Sequence, residues 1–157
     1  MTQILLTQNL QTINELAHLY DRDFNLWIVT TAELLREGRL AELDVANLLE
    51  EIEAMGRSEK SALKSNLVVV LWHLLKWKYQ PEKRSTSWEL SIAEHRRRLR
   101  DAFENSPSLK RYFNECFEQC YQDARRQAKI ETKLAIATFP NTSPFTTEQC
   151  LDQDFLP

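Results

Sequence analysis

Between Leu67 and Leu75 the chain reads Leu-Val-Val-Val-Leu-Trp-His-Leu-Leu, an apolar run that covers nearly the whole circumference of a helix. Upstream the apolar positions thin to Val45, Leu48, Leu49, Ile52 and Met55, one stripe at helical spacing. A long helix over 44–77 is predicted, burying one face in its first half and almost every face in its second. Asp44 or Asn47 can cap it. Gly56 interrupts it at a cost of about 1 kcal/mol against alanine; the helix is read as continuous, bent there or leaving room for a crossing helix. Pro81 has no amide proton and pushes Gln80 out of the helical region, so the helix ends before it. Thr86 and Glu89 then have capping-box spacing. A helix over 87–105 carries Trp88, Ile92, His95, Leu99 and Phe103 on one stripe, with Arg96, Arg97, Arg98 and Arg100 on its flanks and back.

Before this hairpin, Thr12 and Glu15 also have capping-box spacing, and Ile13, Leu16, Ala17, Tyr20, Phe24, Trp27, Ile28, Thr31 and Leu35 keep one stripe toward Gly38. Two readings stand over 12–37: one helix closed by Gly38 as a left-handed cap, or a break with Asp21 as a second N-cap. After it, Ser106-Pro107 reads as N-cap and first helical position. The helix over 107–133 aligns Leu109, Tyr112, Phe113, Cys116, Phe117, Cys120 and Ala124, and brings Asp123, Gln127 and Glu131 to its inner side. From 139 to 157 the pattern is irregular, but Phe145, Cys150, Leu151, Phe155 and Leu156 are too apolar for a free tail. It is expected to dock, with one capped turn at Thr146-Thr147-Glu148-Gln149. The expected fold is all-α: a single domain over 1–157, a largely antiparallel bundle of four to five helices.

Only two glycines and five prolines in 157 residues agree with that class. Three cysteines, an odd number, without an export signal suit free thiols in the cytoplasm, and no apolar run reaches the length of a membrane span. The net charge of −3 is unevenly spread: −7 over residues 1–59, +7 over 60–113 and −3 over 114–157. The basic block coincides with the hairpin, which suits either an anionic partner or charge pairing inside the bundle.

At His73-Leu74-Leu75-Lys76-Trp77-Lys78-Tyr79-Gln80-Pro81 and Arg84-Ser85-Thr86-Ser87-Trp88 the chain resembles the domain of unknown function 29 family, found widely in cyanobacteria. Tyr20-Asp21-Arg22-Asp23-Phe24, Gly56-Arg57-Ser58-Glu59, Ser106-Pro107-Ser108-Leu109, Tyr121-Gln122-Asp123-Ala124-Arg125 and the ending Leu151-Asp152-Gln153-Asp154-Phe155-Leu156-Pro157 carry the same resemblance. It implies a helical fold and no established activity. His95 stands where the family pattern carries glutamine, which argues against a shared catalytic role for it.

Chemistry is sparse. No serine sits in a nucleophile elbow and no glycine-rich phosphate loop exists. His73 and His95 read first as hydrogen-bonded structural histidines. Converging with Asp123 and Glu131 they would offer metal ligands, though the Glu-x-x-His motif of bundle metal enzymes is missing. Lys76, Lys78, Lys83, Arg84, Arg96, Arg97, Arg98 and Arg100, interleaved with Trp77, Tyr79 and Trp88, have the residue types that bind phosphates and stack bases. Three functions follow. The leading one is a non-enzymatic protein-interaction module that uses Lys76, Trp77, Tyr79, Arg84, Trp88, Arg96, Arg97 and Arg100, with another protein or a second copy as partner and no cofactor, resident metal or membrane. The others are a nucleic-acid-associated bundle using the 76–100 hairpin, and a metal-assisted hydrolase built on His73, His95, Asp123 and Glu131.

Overall fold

The computed structural model describes residues 2–157, with side chains from Asn9 onward. Six helices follow one another: α1 (Thr2–Arg22), α2 (Phe24–Arg36), α3 (Val45–Tyr79), α4 (Thr86–Asn105), α5 (Leu109–Thr132) and the short α6 (Thr147–Leu151). Among the described residues there is no strand, so the fold is all-α. Packing divides the chain into two compact units, residues 1–56 and 57–157.

In the first unit the stripe breaks, but at Asp23 rather than Asp21: the Asp23 carboxylate accepts from the Leu26 amide at 3.0 Å and starts α2. The helix before it begins upstream of Thr12, which is therefore no cap. Leu16, Trp27, Leu34 and Leu43 form the core, with Leu19, Tyr20 and Leu48 against it. Gly38 adopts φ +71°. Around it Arg39 N–H reaches the Leu34 carbonyl and Gly38 N–H that of Leu35, the two bonds of a Schellman close. Asp44 caps α3, accepting from the Asn47 amide at 3.3 Å. The stripe Val45, Leu49, Ile52 and Met55, expected to be buried, is instead exposed. Apolar spacing defines a face; it does not supply the element that covers it.

α3 continues unbroken past Gly56, where an added Cβ would meet nothing within 4 Å, so no helix crosses there. In the second unit its direction against its neighbours can be read from pair contacts. Glu59 meets Ser106, Asn66 meets His95, and Lys76 meets Trp88, so α4 runs antiparallel to α3. Lys60 meets Tyr112, and Trp72 and Lys76 meet Glu131, so α5 runs parallel to it. The core joins Leu63, Leu67, Val70, Leu71, Leu74 and Leu75 to Ile92, Leu99, Phe113, Cys120, Tyr121 and Ala124. Two expected caps are absent. α4 starts at Thr86 behind Ser85 and α5 at Leu109 behind Ser108, neither with a side-chain cap bond. The last turn before α5 is instead tied by backbone, Leu109 N–H to the Ser106 carbonyl at 3.0 Å.

The tail docks as expected. Phe139, Phe145 and Cys150 are buried in the same core, and Thr146 and Gln149 form a reciprocal capping box. Tyr121 donates to the Pro140 carbonyl at 2.6 Å, and Arg125 reaches the carbonyls of Phe139 and Ile136. The deepest tie comes from Arg96. It is only 1 % exposed, against the expectation that it lay on an outer flank. Ile92, Arg96, Leu99 and Phe103 share one helix face by spacing, and the guanidinium donates to the carbonyls of Cys150 and Gln149, both at 3.0 Å. A cation at the end of α6 is favoured because the last carbonyls of a helix lack amide partners.

Candidate functional site

The four residues of the metal reading do not assemble. His73 Nδ1 is held at 2.9 Å by the Val69 carbonyl of its own helix, and His95 Nδ1 lies 2.7 Å from Asn66 Oδ1. Glu131 accepts from Lys76 Nζ at 2.6 Å and from the Trp72 indole at 3.2 Å. Asp123 faces Arg126 and Gln119 at 3.3 Å each. Among the described residues no three His, Cys, Asp or Glu side chains are placed to hold a metal ion. Burial lowers the pKa of both histidines, His73 with help from the Lys76 charge and His95 with help from Arg98. Burial also pushes the Cys120 and Cys150 thiols up to about 12, so these sulfurs are poor nucleophiles.

The basic hairpin spends most of its charge internally. Lys76 is buried, its ammonium 4.3 Å from the centre of the Trp88 ring and 5.4 Å from that of Trp72, with Glu131 as counter-ion. It is therefore a packing element and not an outward-facing lysine. Arg84 lies over Trp77 at 5.1 Å and donates to the carbonyls of Trp77 and Pro157. Arg97 and Arg98 are paired with Glu94, and Arg97 also with Asp101. Tyr79 packs edge-on against Phe139. Arg100 is half-buried and lines a shallow cavity with Gln153 and Asp154. Lys78 and Lys83 remain exposed.

Two concave surfaces lie elsewhere. In the second unit a cleft of about 710 Å³ runs between α3 and α5. Arg57, Lys60, Lys64 and Trp72 line it from α3, and Tyr112, Asp123 and Gln127 from α5. Lys60 sits 5.1 Å from the Tyr112 ring centre.

The first unit holds a groove of about 390 Å³ that is almost wholly apolar. Phe24, Trp27, Ile28, Thr31, Ala32 and Leu35 of α2 form one side, and Leu48, Glu51 and Met55 of α3 the other. Phe24 and Trp27 stack with ring centres 5.7 Å apart, and Tyr20 meets Trp27 edge-on at 5.1 Å. The apolar side chains at the mouth are well exposed, from 44 % for Phe24 to 69 % for Met55. Deeper down, Trp27 and Thr31 are 2 % and 3 % exposed, and among the described residues neither Trp27 Nε1 nor Thr31 Oγ1 has a hydrogen-bond partner. Tyr20 donates to Glu51 at 2.6 Å. That bond first, then desolvation and the charges of Glu51, Glu50 and Asp21, push the phenol up to about 12.

The family model described as domain of unknown function DUF29 matches residues 19–156. The chain belongs to the DUF29 family. No curated protein and no solved structure matches it. The DUF29 match takes in every residue that lines either concave surface.

In this DUF29 chain the groove residues stand in the sequence as one helical stripe at Phe24, Trp27, Ile28, Thr31 and Leu35, a pattern that marks a face without saying what covers it. Thr31 is the polar departure within that stripe, and among the described residues its hydroxyl has no partner. Among the described residues no helix is long and apolar enough to cross a membrane.

Proposed function

We propose that this DUF29 chain is a non-enzymatic helical interaction module, and that the groove between α2 and the first turns of α3 receives an α-helix of another protein. The observation that carries the reading is the almost wholly apolar groove itself, with Phe24, Ile28, Leu35 and Met55 left 44–69 % exposed at its mouth. A docked helix covers those side chains and removes their apolar surface from water. An apolar helix face laid into a hydrophobic groove is a recurrent recognition mode, and indole, phenyl and methionine side chains are the types enriched in such contacts. Free cysteines at buried positions suit a cytoplasmic setting for the encounter. The test is fluorescence anisotropy of the full chain with a labelled helical peptide of about 16 residues, bearing a leucine stripe and neutral polar positions elsewhere. Saturable binding is expected, and it is lost in Ile28→Glu and in Met55→Glu, both at exposed positions. Absence of saturable binding, or binding indifferent to both substitutions, refutes the reading.

A nucleic-acid reading is favoured by one separate feature, the α3–α5 cleft, where Lys60 and Lys64 stand beside Trp72 and Tyr112. There the phosphate-binding and stacking groups are adjacent, whereas at the 76–100 hairpin Lys76 is engaged by Glu131 and Arg84 by backbone carbonyls. A mobility shift weakened by salt and removed in Lys60→Glu/Lys64→Glu supports it; no shift at low salt ends it.

A further inference from the structure

We infer that the helix received by the groove is a cationic amphipathic one, with lysine or arginine flanking its apolar stripe. This rests on the groove being a docking site, and two observations narrow the occupant.

The first is charge. Residues 1–56 contain ten acids against three bases, a net charge of −7. One base, Arg39, is tied to Glu37 and Glu42 at 2.9 and 2.6 Å. Glu51 is the ionisable side chain in the groove wall, and no lysine or arginine lines it. Such a surface attracts a positive partner and steers its approach. It also repels a second copy of itself and an anionic lipid surface, so neither of those is the occupant.

The second is the aromatic end of the groove. Phe24, stacked on Trp27 and 44 % exposed, offers a ring beside Glu51 to an incoming ammonium or guanidinium.

The experiment uses the full chain and three labelled helical peptides of about 16 residues that share one leucine stripe and carry lysine, serine or glutamate flanks. The lysine-flanked peptide is expected to bind about tenfold tighter than the serine-flanked one, with the difference shrinking as salt is added. Glu51→Gln keeps an acceptor for Tyr20 and removes the charge, so it narrows that difference. Equal binding of the lysine, serine and glutamate peptides overturns the charge inference while leaving the groove a docking site. No binding by any peptide removes both. A chain that sediments as a dimer, and as a monomer once Met55→Glu is introduced, overturns the inference in favour of a second copy.

Discussion

Thr31→Val should make the free protein more stable. Thr31 is 3 % exposed, and its hydroxyl has no hydrogen-bond partner. Burying a hydroxyl without compensation costs roughly 1–3 kcal/mol. Valine has nearly the same shape and a similar helix propensity, so neither cavity nor propensity offsets the gain. Threonine to valine in a core is ordinarily not a neutral exchange because a bonded hydroxyl is lost; here there is no bond to lose. A stabilisation of about 1–2 kcal/mol is expected, a factor of about 5–30 in the folded-to-unfolded ratio. Because the chain packs as two units, the assay is hydrogen exchange resolved by residue, followed at the amides of α2. Their protection should rise by that factor while amides of α4 and α5 stay unchanged. If protection in α2 is unchanged or falls, the hydroxyl is satisfied in solution and the reasoning from its burial fails.

Arg96→Met removes the guanidinium bonds to the carbonyls of Gln149 and Cys150 and the longer one, 3.5 Å, to that of Gln153, a loss of about 2–4 kcal/mol at the docked tail. The Cys150 thiol, buried and raised to about 12, should then react with a thiol reagent on the order of 30- to 1000-fold faster; an unchanged rate shows that the tail is held by its apolar side chains alone. Glu131→Gln removes the carboxylate charge and leaves the buried Lys76 ammonium an amide oxygen and the two indole faces. Since Glu131 is partly exposed, the expected cost in urea unfolding is about 1–3 kcal/mol, below that of a fully buried pair, and no shift in midpoint would deny the pair a role. His73 has a lowered pKa through burial, so the folded state binds fewer protons than the unfolded one. Its contribution is full above the unfolded value near about 6.5 and is lost as pH falls through the folded value. His73→Gln should flatten the fall of stability between about pH 7 and pH 5, and with His95→Gln flatten it further; parallel profiles refute the assignment. Lys133 closes α5 at φ 61°, left-handed for a residue with a Cβ. Lys133→Gly should gain about 0.5–1 kcal/mol, the strain relieved less the added chain entropy, and a loss on urea unfolding would argue that the lysine side chain holds the turn.

Much of the fold was determined by the chain read alone. The apolar run from Leu67 to Leu75 predicts a helix buried on almost every face, and Leu67, Val70, Leu71, Leu74 and Leu75 form the heart of the core while Val68, Val69 and Trp72 are half-buried. Gly38, Pro81 and the Thr146–Gln149 turn are local chemistry, so their effects were legible without neighbours. The tail had to dock because Phe145, Cys150 and Leu151 have nowhere else to hide.

Other features were decided only in three dimensions. Arg96 sits at core spacing between Ile92 and Leu99, but its charge argued for solvent until α6 supplied carbonyls to receive it. Lys76 looked like part of a cationic surface until two indoles and Glu131 enclosed it. The stripes at Phe24–Leu35 and Val45–Met55 have the periodicity of buried faces, yet Phe24, Ile28, Leu35, Val45, Leu49, Ile52 and Met55 are left exposed by the described residues of their unit. Hydrophobic spacing specifies which side of a helix avoids water; whether that side meets its own chain or a partner depends on which other surfaces arrive, and that is a property of the assembled structure.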